Sequence, residues 1–249
     1  MAKLKFLGLS LLLSLITLNA FAKEVIKVYT YHLKPPFVVR EATHDGLYFD
    51  ALNYFNKKNI KYQFELHYLP RRRLDLMVNA GTLDGLVIGV NPLWFNDKQE
   101  NKYLWSSTLL HDVDEVISTK EKAFEYTGLE SLSGLRVGLV LGYYYFGVSE
   151  MATAGKLSRD DASSEDHNFK KLLANRIDVA IISRSNHDFV MKHQPELVGK
   201  FFISSKPHDQ YERRIMIPLS MPKVHQALVA IVSQMHSDPV WKERIAAYR

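Results

Sequence analysis

The chain of 249 residues contains no cysteine. It therefore has no disulfide bond, and it offers no thiol to a nucleophilic site or to a lipid anchor. Without these devices, an exported protein must obtain its stability from its hydrophobic core. The composition fits this requirement, because 47% of the residues are hydrophobic.

Two further features are scarce, namely clustered histidines and long basic runs. The ten histidines are scattered, and neither a His-x-His pair nor the zincin spacing occurs. We therefore expect no metal site and no cofactor. The formal net charge is +5, from 32 basic and 27 acidic residues that are spread along the chain. This distribution gives little support for nucleic acid as a partner.

The most apolar run lies at the N-terminus and is too short for a membrane span. Lys3 and Lys5 precede an apolar stretch over residues 6–18, and Ala20 and Ala22 follow it. A bilayer span needs about 20 apolar residues. A positive start, a short apolar core and small residues before the cleavage point are typical of a secretory signal peptide. We interpret residues 1–22 as a cleaved signal peptide, and we expect the exported protein to have no stable membrane anchor.

The remainder of the chain has the pattern of an α/β protein. Short apolar runs alternate with amphipathic stretches, which indicates buried, mostly parallel strands between helices. The pattern predicts strands at residues 25–31, 83–90 and 214–218, and helices at residues 49–58, 71–80, 223–236 and 239–248. A helix end, a turn, an aspartate and a buried strand occur in succession around Asp84 and again around Asp178. This far-spaced repetition favours two lobes of similar build over a solenoid.

We predict that residues 23–113 and 208–249 form lobe 1, and that residues 114–207 form lobe 2. No low-complexity linker separates them. We therefore expect two strands, near residues 114–119 and 202–207, to cross between the lobes in place of a flexible tether. The expected architecture is a monomer of two α/β lobes with a ligand cleft between them.

The order of short motifs resembles that of a known family. The motifs are Pro35-Pro36-Phe37, G-L-Y-F-D at 46–50, A-G-T-L-D-G at 80–85, N-D-K-Q at 96–99, W-S-S at 105–107, L-S-G-L-R-V-G at 132–138 and N-R-I-D at 175–178. They resemble the family 3 periplasmic solute-binding proteins, the extracellular components of polar amino acid ABC transporters. The resemblance covers nearly the whole mature chain. It implies the type II periplasmic binding fold, a periplasmic location and a small-molecule ligand, with a transporter permease or a sensor kinase as the membrane partner.

Two positions depart from what the resemblance implies for the ligand. Relatives usually carry an arginine for the α-carboxylate of an amino acid at the position of Gln99. At the position of Ser183 they usually carry an aspartate for the α-ammonium group. Neither glutamine nor serine supplies a charged partner. We therefore expect ordinary α-amino acids to bind weakly.

Other candidate ligand-binding residues follow from the predicted topology, because ligands of open α/β sheets bind beyond the carboxyl ends of strands. Three loops lie there, at residues 31–37, 91–97 and 142–146. The candidates are Tyr31 and Phe37 on the first loop, Asn91 and Trp94 on the second, and Tyr143, Tyr144 and Tyr145 on the third, which we expect to enter a helix directly. Arg71 or Arg73 is a candidate partner for a negative group, since consecutive arginines of one helix cannot all face the cleft.

These residues predict a binding protein and not an enzyme. Asp50, Asp84 and Asp178 have structural roles in a helix start and in turns. No catalytic triad order, nucleophile elbow or phosphate loop occurs. The alternatives are a ligand-sensing subunit of a membrane sensor kinase and an enzyme that resembles cyclohexadienyl dehydratases. Such an enzyme would need a general acid in the cleft.

Overall fold

The structure is a computed structural model that describes residues 23–248. The expected signal peptide lies outside the described residues. Between residues 23 and 248, every helix is too short or too polar to cross a bilayer.

Strands and helices alternate along most of the described chain. The strands are β1 (Glu24–Thr30), β2 (Tyr62–Tyr68), β3 (Leu86–Val90), β4 (Tyr103–Trp105), β5 (Leu110–Thr119), β6 (Arg136–Val140), β7 (Ser158–Ala162), β8 (Val179–Ser183), β9 (Phe201–Ile203) and β10 (Asp209–Pro218). The helices are α1 (Leu47–Lys58), α2 (Arg71–Asn79), α3 (Val148–Thr153), α4 (Glu165–Leu173), α5 (Arg184–His193), α6 (Pro222–Met235) and α7 (Pro239–Ala246). The predicted strands and helices are present, with shifted ends.

Lobe 1 is built on strands β2, β1, β3 and β10, in that spatial order. β1 is parallel to β2 and β3, and β10 is antiparallel to β3 and to β4. All five residues of β3 are buried, as expected for an apolar run covered on both faces. Helices α1, α6 and α7 contribute buried side chains to the same core as β1 and β3, among them Phe55, Leu228 and Trp241.

Lobe 2 repeats this plan with strands β7, β6, β8 and β5. β6 is parallel to both β7 and β8, and β8 is antiparallel to β5. The five residues of β8 are all buried. Separate hydrophobic clusters form around Leu139 and around Phe169.

The lobes are joined by two antiparallel strands, β5 and β10. β10 pairs with β5 through residues 209–213, and it pairs with β3 and β4 of lobe 1 beyond Arg213. β5 pairs with β8 of lobe 2 from Asp114 onward. The second crossing strand was expected at residues 202–207 and lies instead at Asp209–Pro218. The apolar run that suggested the earlier position forms the short strand β9, which only pairs with the end of β5. The lobe boundaries stay a prediction.

The aromatic segment after β6 differs from its prediction. Tyr143, Tyr144 and Tyr145 do not enter a helix, because α3 begins only at Val148. Gly147 precedes that helix with φ +74°, a left-handed conformation that glycine adopts without a steric penalty. The tyrosines therefore lie in a loop, where their side chains are not confined to helical spacing.

Gly89 permits close packing inside β3. Its φ is +80°, and a methyl group at this position would overlap the hydroxyl group of Tyr48. Its carbonyl oxygen also accepts a hydrogen bond of 3.2 Å from Arg213 on the crossing strand β10. We expect Gly89→Ala to lower the free energy of unfolding by about 2 kcal/mol, through backbone strain and overpacking. Urea unfolding would measure this, with Gly81→Ala as control. Gly81 also has positive φ but open space around its Cβ position, so it should lose clearly less stability.

Candidate functional site

A cavity of about 1130 Å³ lies between the lobes and is bordered by both crossing strands. The three loops predicted to face the cleft all contribute to its wall. Lobe 1 supplies Tyr31, His32, Lys34, Arg71 and the segment Asn91 to Asn96, lobe 2 supplies Tyr143, Tyr144, Tyr145, Phe146 and Glu165, and the crossing strands supply Asp114 and residues 209–214. This volume is large enough for a small organic molecule.

Aromatic side chains from both lobes meet in this cavity. The Tyr31 and Tyr143 rings lie edge to face with centroids 5.5 Å apart. The Tyr143 hydroxyl group donates a hydrogen bond of 3.3 Å to the backbone oxygen of Tyr31. The Trp94 ring lies 4.9 Å from the ring of Tyr211 on β10. Flat apolar faces with polar edges therefore line the space between the lobes.

The other two tyrosines of the aromatic loop differ in burial. Tyr145 is buried in the core of lobe 2, and its hydroxyl oxygen accepts a hydrogen bond from the amide of Val140. Tyr144 is half exposed, and its hydroxyl group donates to Glu150. Both line the cavity in part.

The two candidate arginines at the start of α2, Arg71 and Arg73, face different sides of the helix. Arg71 lines the cavity, while Arg73 is exposed and lies outside it. The Arg71 guanidinium group donates to Asp75, to the Tyr31 hydroxyl oxygen and to the backbone oxygen of Trp94. Each of its three nitrogens thus donates to a protein group and its charge is paired with Asp75, which weakens its attraction for a negative group on a ligand.

Asn91 lines the cavity, but its side chain also shapes the loop. Its amide oxygen accepts a hydrogen bond from the backbone of Leu93, and its amide nitrogen donates to the backbone oxygen of Glu212. The first contact begins the short 3-10 helix Pro92–Phe95, which carries Trp94. Asn91 therefore positions Trp94 beside the crossing strand.

Gln99 is exposed and lies outside the cavity. The cause is Asp97, a buried carboxylate that accepts hydrogen bonds from the backbone amides of residues 101–103 and from the Trp105 indole. These contacts fold the segment back on Asp97 and hold Gln99 on the outside of the turn. Asp97 was not singled out from the sequence, although an aspartate inside an otherwise polar loop is a common turn-forming signal.

Ser183 is fully buried and forms hydrogen bonds with both members of an ion pair that was not predicted from the sequence. Lys34 of lobe 1 forms a salt bridge with Glu165 of lobe 2, and both side chains are less than 5% exposed. Ser183 donates a hydrogen bond of 2.8 Å to Glu165 and accepts one of 3.0 Å from Lys34. The ammonium group that contacts Ser183 therefore belongs to Lys34 of the protein and not to a ligand. Asn186 of lobe 2 also donates across the cleft, to the backbone oxygen of Pro35.

Phe37 does not line the cavity but lies beneath it. Its ring stacks on Tyr48 at 4.8 Å and carries the guanidinium group of Arg213 at 4.4 Å. Arg213, which was also missed, is 1% exposed and pairs with Asp112 at 2.8 Å. This pair joins β10 to β5 where the chain passes between the lobes.

Asp114 was not identified from the sequence either, and it faces the cavity from β5. The Tyr211 hydroxyl group donates a hydrogen bond of 2.8 Å to its carboxylate. Burial raises the pKa of Asp114 to about 7. The negative charges of Glu165 and Asp112 also raise this pKa, whereas the positive charge of Lys34 lowers it. On β5 a single residue, Val113, separates Asp112 from Asp114, and strand geometry places such residues on the same face, which is the signal by which the paired carboxylates could have been recognised.

Comparison with known proteins gives a match in structure only. No protein-family model and no curated protein matches the sequence. An ancestral arginine-binding protein bound to arginine is 15% identical, with a TM-score of 0.69, and the match covers 91% of this chain and 98% of that chain. The GluR0 ligand-binding core from Nostoc punctiforme in complex with L-glutamate is 14% identical, with a TM-score of 0.68 and coverage of 88% and 96%. This chain has the fold of the periplasmic amino acid-binding proteins.

A further structural neighbour is an ancestral amino acid-binding protein described as a precursor of cyclohexadienyl dehydratase. It is 14% identical, with a TM-score of 0.68, and the match covers 90% of this chain and 95% of that chain. The two-lobed type II periplasmic binding fold predicted from the sequence is confirmed. At these identities the likeness concerns the fold, and the ligand must be argued from the cavity of this chain.

Proposed function

We propose that the protein is a periplasmic solute-binding protein of the family 3 type, which closes its lobes on a small polar or aromatic solute. The observation that carries this proposal is the cavity of about 1130 Å³ whose wall is shared by both lobes and both crossing strands. Two strands permit rotation of one lobe against the other while each hydrophobic core stays intact. Solute enters when the lobes separate and is enclosed when they close.

The chemistry of the cavity supports a ligand other than an ordinary α-amino acid. Arg71 is engaged by Asp75, and Gln99 lies outside the cavity. Within the described residues, α2 and the loop after β3 therefore offer an α-carboxylate group no enclosed cation that is free of an ion pair, since Lys98, which also borders the cavity, is exposed to solvent. The Lys34 ammonium group contacts Ser183, so that position is occupied by the protein itself. Aromatic faces form much of the remaining wall.

The proposed location and partner follow from the sequence. We propose that residues 1–22 direct export and that the closed, liganded form delivers its solute to the permease of an ABC transporter. A sensor kinase that reads the closed form is the alternative partner, because both kinds of partner recognise the same clamp. We propose that the protein acts as a monomer.

The test is ligand-dependent closure. The mature protein should be purified without denaturation, the small molecules that it retains identified by mass spectrometry, and small-angle scattering recorded with and without the retained compound. We expect a smaller radius of gyration on binding, a higher melting temperature, and recovery of the compound chemically unchanged. Ordinary amino acids should bind at least about 30-fold more weakly, because an enclosed, unpaired cation for their α-carboxylate group is missing. Unchanged scattering at saturation would exclude the clamp, and conversion of the compound would favour an enzyme.

A further inference from the structure

We propose that the cavity binds a small organic cation, whose positive charge pairs with Asp114 and whose apolar part packs against Trp94, Tyr145 and Tyr211. This inference rests on the proposed function as a solute-binding protein and names the class of its ligand. The charges and the geometry around the crossing strands support it.

The first support is an excess of negative charge among the enclosed groups. Asp112, Asp114 and Glu165 supply three carboxylates, and within residues 23–248 two cations, Lys34 and Arg213, form ion pairs with members of this group. Lys34 pairs with Glu165, and Arg213 pairs with Asp112. Asp114 is left without a cationic partner among the residues that the structure describes. Asp114 is partly exposed toward the cavity, and a ligand that covers it would leave an unpaired charge without water, which is costly unless the ligand itself supplies a cation.

The other cations of the cavity wall do not compensate Asp114. Arg71 pairs with Asp75 at 2.8 Å, and Arg214 pairs with Glu100 at 2.6 Å. Lys98 also borders the cavity but is exposed to solvent. An anionic ligand would therefore meet arginines that are already paired and a carboxylate that repels it.

The second support is the position of the Asp114 carboxylate. One of its oxygens, Oδ1, accepts the hydrogen bond from Tyr211. Between residues 23 and 248, no side chain or amide donates a hydrogen bond to Oδ2. Because the residue lines the cavity, this oxygen is available to an ammonium or guanidinium group.

The third support is the ring of aromatic faces near this carboxylate. Tyr211 contacts Asp114 directly, and its ring lies against that of Trp94. Tyr145 lines the same cavity as Asp114, and burial raises the pKa of its phenol, with the charges of Glu165 and Asp114 acting in the same direction. Cations bind favourably over such rings, most strongly where water is excluded.

The binding of a cation should depend on pH through Asp114. Its pKa is about 7 in the unliganded cavity, and only the ionised carboxylate attracts a cation. Lowering the pH through this value protonates Asp114 and weakens binding, by about tenfold between about pH 8 and about pH 6. His32 and His208 also border the cavity, and burial lowers the pKa of both, that of His32 well below its usual value, which disfavours their charged forms. The neighbouring Lys34, Arg213, Asp112 and Glu165 are held in their ion pairs.

The experiment compares probes of the same shape and different charge. Calorimetry on the mature protein would use choline and its uncharged carbon analogue 3,3-dimethylbutanol, putrescine and its uncharged analogue butanediol, and benzoate as an anion. We expect at least one cation to bind at least about 30-fold more tightly than its neutral analogue. Asp114→Asn, which preserves shape, should abolish this preference and the pH dependence. Glu121→Gln removes the same charge at an exposed position outside the cavity and should change neither.

The outcomes separate this inference from the proposed function. Closure in scattering on a neutral or anionic compound, with no preference for cations, would overturn the inference and leave the solute-binding function intact. Binding of a cation that Asp114→Asn does not weaken would also overturn it. If the compound retained during purification carries no positive charge, the ligand class is wrong. Absence of closure with every probe and with the retained compound would contradict both proposals.

Discussion

Arg213→Met should lower the free energy of unfolding by about 3–5 kcal/mol, a large share of the stability of a typical domain. Arg213 is 1% exposed, its Nε atom donates a hydrogen bond to Oδ2 of Asp112, and its Nη2 atom lies 2.8 Å from the same oxygen. Nη2 also donates to the Tyr211 hydroxyl oxygen, and Nη1 donates to the Gly89 carbonyl oxygen. Without the guanidinium group, the Asp112 carboxylate remains 2% exposed and lacks its cation. Urea unfolding followed by circular dichroism would measure the loss.

The control is the double variant Asp112→Asn/Arg213→Met. If the damage comes from the unpaired charge, replacing both partners by neutral groups should recover a large part of the lost stability. The single variant Asp112→Asn, which leaves a buried cation, should be as damaging as Arg213→Met. Strictly additive effects of the two substitutions would contradict the argument, because additivity means that the groups do not interact.

The fold could be predicted from the sequence because its signals are local. Buried runs such as β3 and the amphipathic pattern of α1 are readable over ten residues or so. The order of the short motifs, through the family resemblance, also predicted the two-lobed topology. The aromatic loop after β6 was placed at the cavity for the same reason, since it follows a buried strand.

The charged part of the site could not be predicted, because its partners are far apart in the chain. Lys34 and Glu165 are separated by 131 positions, and Asp112 and Arg213 by 101. No periodicity relates such residues, and only the packing of the lobes brings them together. Hydrogen bonding within the loop after β3 likewise decides that Gln99 faces outward, a result set by the buried carboxylate of Asp97.

The second large effect should be the opening of the lobes by Lys34→Met. This substitution keeps an apolar stem of similar length but removes the ammonium group that pairs with Glu165 across the cleft. In the closed form, Glu165 would then be a buried carboxylate whose remaining side-chain partner is the Ser183 hydroxyl group. Leaving this carboxylate buried and unpaired would destabilise the closed form by about 3–5 kcal/mol. Rotation of the lobes returns Glu165 to water and removes this destabilisation. The variant should therefore open and not unfold, with the ratio of closed to open molecules lowered on the order of a hundredfold or more.

Spin-label distances can measure this opening, because the chain has no native cysteine to interfere. Labels at Lys57→Cys on α1 and Lys170→Cys on α4 report on different lobes, and both positions are exposed. Lys34→Met should lengthen the distance distribution at an almost unchanged unfolding midpoint, since open lobes keep their separate cores. The double variant Lys34→Met/Glu165→Gln leaves no unpaired charge and should return toward the closed distances. If Lys34→Met keeps the wild-type distances, or if it unfolds the protein as readily as Arg213→Met does, this pair does not control closure.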